Sequence, residues 1–333
     1  MKDASLIRRA KEYKDLFSDD AVIAKKEFRQ YCKIYHPDVN DSAEAAELFA
    51  IISELYTNKG IKSTLNSSIK DTIIFRSKDT GKGFEIKNYH MFNNGMAMIY
   101  HTATKVVIVY DKTYKKFYDN YINVIKNLKY ADSNMEKEFK RYFPKLVTNF
   151  ETEDGQYLIL LDKTSEVLNL GVIVRSYEKH GEKFPEKQAA WILNRLYNIE
   201  CYLSYSGLVS NGLTLDNIWV SPEMHTVLLF NGWEYTTEKD GAMIGCPKEV
   251  YKILPVKIKG TKQSDTLTDL ESIKSIGRKL FKGHDELAYI NKFLNSGIAS
   301  NETLDEWDKY GEAINKQFGK RTFIIWDDVP YNT

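Results

Sequence analysis

The chain has 333 residues, with 47 Lys and Arg against 46 Asp and Glu and a net charge of +1. That balance gives no electrostatic reason to expect a nucleic-acid partner, and no apolar run reaches the roughly 20 residues that span a membrane. The length suggests two or three domains with sizeable cores. Cys32, Cys201 and Cys246 are too far apart for a Cys-x-x-Cys zinc pair and suit a reducing compartment. The first residues hold no apolar signal core, so the sequence reads as cytoplasmic.

Along residues 12–56 two helix patterns flank a short loop. Ala24, Phe28, Tyr31 and Tyr35 recur at helical spacing, and Lys26, Arg29, Gln30 and Lys33 form a basic face beside them. His36-Pro37-Asp38 follows. Asp41 and Glu44 then suggest a capping box, ahead of a stripe through Phe49, Ile52 and Tyr56. Two antiparallel helices would bury these stripes against each other and leave the basic face and the loop in water.

These residues resemble a J-domain, the DnaJ-type module. Glu12-Tyr13-Lys14-Asp15-Leu16 is similar to the end of its first helix, and residues 25–38 to its second helix and loop. Phe17 departs from the family, which usually has Gly there, and no fourth helix pattern follows Tyr56. The resemblance implies docking on a DnaK-type heat-shock chaperone and stimulation of its ATP hydrolysis. Lys25, Lys26, Arg29 and Lys33 would hold an acidic patch on that partner, and His36, Pro37 and Asp38 would transmit the signal. The expected boundaries are 1–58 for this domain and 59–70 for a polar linker containing Gly60, Ser63, Asn66, Ser67 and Ser68.

Beyond the linker, strand patterns occupy 72–75, 83–86, 96–100 and 105–110. A helix pattern covers 113–128, a buried strand 157–161, and a long helix 186–206. Two short strands flank Pro222-Glu223-Met224-His225, and the chain after Asp265 is mostly helical. Strands first and helices later indicate an α+β multidomain chain. The Tyr114, Phe117 and Tyr121 stripe and Trp219, Trp233 and Trp307 read as core. His225, in its turn, reads as solvated.

The same order resembles a protein-kinase fold, with a small β-rich lobe over 71–162 and a larger helical lobe over 163–330. Residues 208–220 are similar to the catalytic loop, 227–233 to the metal-binding segment, 246–250 to the end of the activation segment, and 268–277 to the helix whose Asp, here Asp269, anchors the loop. Gly319-Lys320-Arg321-Thr322-Phe323 is similar to a segment of bacterial DnaJ-fused kinase-like proteins.

Phosphoryl transfer needs a base, two metal ligands, a phosphate-binding lysine and a glycine-rich loop. The base position holds Gly212 and the motif His is replaced by Ser210. Asn231 stands at the metal-binding carboxylate, and a neutral amide is a poorer ligand for a hard cation. Val109 occupies the lysine position and Tyr121 its Glu partner, with Lys105 and Lys112 nearby. Residues 92–97 supply one glycine, Gly95. Asn217 alone is retained, and Asp216 and Asn217 read equally as loop caps. Glu249 lacks a basic partner around residues 300–302.

The sequence therefore points to a pseudokinase joined to a J-domain, a co-chaperone whose second domain binds an unknown client or scaffolds a complex. No cofactor is expected, although weak ATP and magnesium binding stays open, and neither nucleic acid nor membrane is expected as partner. An atypical kinase with a regulatory J-domain, and a decoy of host chaperone from a phage or mobile element, are the alternatives.

Overall fold

The computed structural model describes residues 3–57, 69–164, 166–320, 322–327 and 329–330. The expected linker, 59–70, falls mostly on residues outside this set. The first three helices are α1 (Ala4–Arg9), α2 (Ala21–Tyr35) and α3 (Ala43–Thr57). Asp20 caps α2 by accepting from the Val22 and Ile23 amides. Ser42, rather than Asp41, serves the start of α3: its hydroxyl accepts from Ala45 N at 3.2 Å. The two stripes meet as their spacing requires, with the Phe28 and Tyr56 rings stacked at 4.0 Å. Phe17 is buried among Phe28, Tyr31 and Tyr56, so a large ring fills the place where a glycine was the family's habit.

The second body opens with β1 (Ile69–Arg76), β2 (Gly83–Asn93), β3 (Ala97–His101) and β4 (Lys105–Tyr110). Next come α4 (Lys115–Lys126), α5 (Ser133–Phe139), β5 (Lys145–Glu151) and β6 (Tyr157–Asp162). The six strands form one antiparallel sheet in the order β1-β2-β3-β4-β6-β5. The expected 113–128 helix begins instead with a 3-10 turn over Lys112–Tyr114, whose amides are capped by Asp111.

A helical layer follows. It holds β7 (Leu168–Asn169), α6 (Leu170–Lys179), α7 (Glu186–Tyr205) and β8 (Leu208–Val209). The chain continues through β9 (Ile218–Ser221), β10 (Thr226–Leu229) and β11 (Thr237–Glu238). Then come α8 (Lys248–Ile253), α9 (Val256–Thr261), α10 (Thr266–Leu280), α11 (Ala288–Leu294) and α12 (Thr303–Phe318). β10, β9 and β7 make a small sheet, and β11 pairs with β8. One apolar core runs from Ile99, Ile108 and Tyr110 of the large sheet to Trp219, Trp233 and Leu270 of the helical layer. No helix among the described residues is long and apolar enough to cross a membrane.

Candidate functional site

The His36-Pro37-Asp38 tip does not stay in water. It packs on the second body, and His36 is only 1% exposed. His36 Nε2 donates to the Met224 carbonyl at 3.2 Å, while its Nδ1 accepts from the Asp38 amide at 3.1 Å, which fixes a neutral tautomer. Asp38 Oδ1 accepts from Arg195 Nη2 of α7 at 2.5 Å, and Oδ2 faces His225 Nδ1 at 3.1 Å. Arg195 is held in turn by donating from Nε to the His225 carbonyl at 3.1 Å. Met224 joins the apolar core of the three N-terminal helices. Burying a methionine side chain contributes roughly 1.5–3 kcal/mol.

His225 lies in the β9–β10 turn with φ +45°, a left-handed conformation unusual for a residue with a Cβ. Its ring is sandwiched between Trp191 at 4.6 Å and Phe323 at 4.3 Å, and its Nε2 bonds the Ile324 carbonyl at 2.6 Å. The expectation of a solvated histidine is thus corrected: the ring is 1% exposed, because the C-terminal segment folds over it. That segment also reaches α2. Asp327 pairs with Arg29 and lies 3.3 Å from Lys25 Nζ, while Glu223 lies 3.2 Å from Arg29 Nε and 3.3 Å from Lys25 Nζ. The basic face is split by this contact, and Lys26 and Lys33 remain exposed.

The electrostatics follow from burial and pairing. Burial alone would raise the Asp38 carboxyl, but the Arg195 guanidinium and the hydrogen bond with His225 hold it far below the usual carboxylate range. Burial drives His36 well below an ordinary imidazole despite the Asp38 charge. Removing one partner of a buried pair such as Asp38–Arg195 costs about 3–5 kcal/mol. His36, Asp38 and His225 offer ligand atoms all within 4.8 Å of one another, a spacing that could hold a metal ion, but the Arg195 guanidinium already pairs with the carboxylate.

The second cluster lies between the large sheet and the helical layer. Asp269 of α10 accepts from the Ser210 amide at 2.5 Å and the Asn211 amide at 2.9 Å, so it holds the 210–217 loop. A Cβ on Gly212 would sit 2.6 Å from the Gly232 carbonyl oxygen, so no side chain fits there. Asn217 donates to the Gly212 carbonyl at 2.7 Å and pairs side chain to side chain with Asn231. Asn231 Oδ1 also accepts from Trp219 Nε1 at 3.0 Å. Trp219 is fully buried and meets His101 of β3 edge-on at 5.1 Å. Tyr121 donates to the Phe230 carbonyl at 2.6 Å.

Val109 needs correction. Strand alternation turns it to the sheet face shared with Ile86, Val107, Leu158 and Leu160, away from the Tyr121 side, which Ile108 and Tyr110 face instead. Lys105 is engaged with Asp162. Glu249 has a cation partner after all, Lys279 at 3.1 Å, reached from α10 rather than from residues 300–302.

Solved structures share this arrangement. Vaccinia-related kinase 3 matches with a TM-score of 0.53 at 14% identity, over 79% of this chain and 96% of that one. The BubR1 kinase domain matches with a TM-score of 0.51 at 8% identity, over 83% and 94%. The second body has a kinase-like fold. No protein-family model and no curated protein matches the sequence. Within that body Gly212, Asn217 and Asn231 cluster through the Asn217–Gly212 hydrogen bond and the Asn217–Asn231 pair.

Sequence reasoning missed Arg195, Glu223, Met224 and Asp327 as members of the tip contact. Arg195 alone carried a signal, as a charge inside the apolar run Trp191-Ile192-Leu193-Asn194-Arg195-Leu196-Tyr197 of α7.

Proposed function

We propose that the chain is a co-chaperone of the J-domain type, with a kinase-like body that binds or scaffolds without transferring phosphate. The observation that carries the first half is the shared face of α2 and the tip. Lys25, Arg29, His36 and Asp38 all engage one surface of the kinase-like body, so in this molecule the face recognises protein. A DnaK-type chaperone is the partner that the resemblance implies for such a face. The second half is supported by the lack of room for a side chain at Gly212 and by the Asn217–Asn231 pair, whose amides satisfy each other, at the positions that the resemblance assigns to a base and metal ligands. The test is single-turnover ATP hydrolysis by a DnaK-type chaperone, with a parallel phosphotransfer assay in magnesium or manganese. Stimulation abolished by His36→Gln is expected, as is no phosphotransfer. Turnover lost in Asn217→Ala would overturn the second half.

A further inference from the structure

We infer that the kinase-like body carries a built receptor for the chain's own His-Pro-Asp tip, so that this body and a chaperone compete for one face. The inference rests on the co-chaperone reading and goes beyond it by assigning the regulation of that face.

The receptor has four parts. Arg195, buried in α7, meets the Asp38 carboxylate. The Met224 carbonyl accepts the hydrogen bond from His36 Nε2, and the Met224 side chain enters the helical core. His225, in its left-handed conformation, faces the other Asp38 oxygen. Glu223 and Asp327 meet Lys25 and Arg29. These contacts reproduce, group for group, what a partner must offer to a basic helix ending in His and Asp: an acidic patch beside a buried cation.

The C-terminal segment acts as a strap. Phe323 covers both His225 and His36, at 4.3 Å and 5.0 Å, and the Ile324 carbonyl holds His225. Trp326 anchors the strap against Phe184 and Trp191. The Phe of the Gly-x-x-x-Phe segment thereby acquires a role in closure. A side chain in a left-handed backbone costs stability that the surroundings must offset, and at His225 the Asp38 contact shares that task with Trp191, Phe323 and the Ile324 carbonyl. Opening requires losing the Asp38–Arg195 pair, the Met224 contact and the strap together.

The experiment uses the full chain with Glu223→Lys and Asp327→Lys. Both changes lie on the kinase-like side, leave the tip intact, and place like charges against Lys25 and Arg29. Two readouts are needed: small-angle X-ray scattering without chaperone, and single-turnover ATP hydrolysis with a DnaK-type chaperone. The double variant is expected to expand in scattering and to stimulate hydrolysis at least about tenfold more than the wild type. Adding His36→Gln to it is expected to remove that stimulation. Adding Lys25→Glu and Arg29→Glu instead is expected to restore the compact form, which separates opening from misfolding. Wild type and double variant equally compact, or equally stimulating, would overturn the receptor and leave the co-chaperone reading standing. Expansion without stimulation by any opened form would uphold the receptor as the occupant of the tip and sink the co-chaperone reading and the competition with it.

Discussion

Gly212→Asp writes a carboxylate into the position that the sequence resemblance assigns to a kinase base, and its outcome follows from distances. The new Cβ would lie 2.6 Å from the Gly232 carbonyl oxygen and 3.1 Å from Tyr235 Cδ2. The first contact is with backbone, which cannot rotate away, and Gly232 is itself committed to φ +98°. Overpacking of this kind costs about 1–3 kcal/mol. The carboxyl beyond the Cβ enters a buried place beside the Gly232 carbonyl and the Tyr235 ring, so leaving it without a partner adds about 1–3 kcal/mol. A total near 4 kcal/mol lowers the melting temperature of a body this size by roughly 10 °C, at about 2–4 °C per kcal/mol. Gly212→Ala isolates the first part and should lose about half as much. The assay is thermal unfolding of both variants, followed by phosphotransfer with magnesium. A Gly212→Asp protein that melts with the wild type and gains phosphotransfer would refute the reasoning, because the loop would then have room for a base.

Three further outcomes follow. Asn231→Asp removes the amide that donates to Asn217 and to the Asp216 carbonyl; it should cost about 1–3 kcal/mol and produce no magnesium-dependent rise in melting temperature. Burial pushes the Glu234 carboxyl up to about 7, so its protonated form is favoured in the folded state. That contribution is complete below the ordinary carboxylate range and is lost as pH rises through 7. The melting temperature of the wild type relative to Glu234→Gln should therefore fall between about pH 5 and pH 8, and a constant difference would contradict the burial argument. Gly277→Ala puts a Cβ 2.6 Å from Leu294 Cδ2 of α11 and 2.9 Å from Leu193 Cδ1 of α7; these two side chains must shift, at about 1–3 kcal/mol by thermal unfolding.

The helices with stripes were legible because burial on one side writes a period into the sequence, as Phe28 and Tyr31 against Phe49 and Ile52 show. The strands at β4 and β6 were legible for a different reason, as short continuous apolar runs buried on both faces. α6 was not, since it is short and only Arg175, Glu178 and Lys179 mark an exposed face against the buried Leu170, Val172, Ile173, Val174 and Tyr177. β5 is largely exposed and reads as neither strand nor helix. Gly212 and Asn231 were visible as residue types, but the sheet face that Val109 takes was not, because register within an all-apolar strand has no polar mark. The tip contact was hidden for a different reason. Its two sides lie far apart in the chain, and Glu223 and Asp327 look like any surface acids until Lys25 and Arg29 face them.

Trp219 has one more consequence. An active kinase keeps its two lobes apart around a hinge so that nucleotide can enter and leave. Here an indole, an imidazole and an amide join sheet to helices as ordinary core, through Trp219, His101 and Asn231. The lobes then have no independent reason to melt or to move. Calorimetry should record them as a single cooperative unit, and Trp219→Ala should split that transition in two.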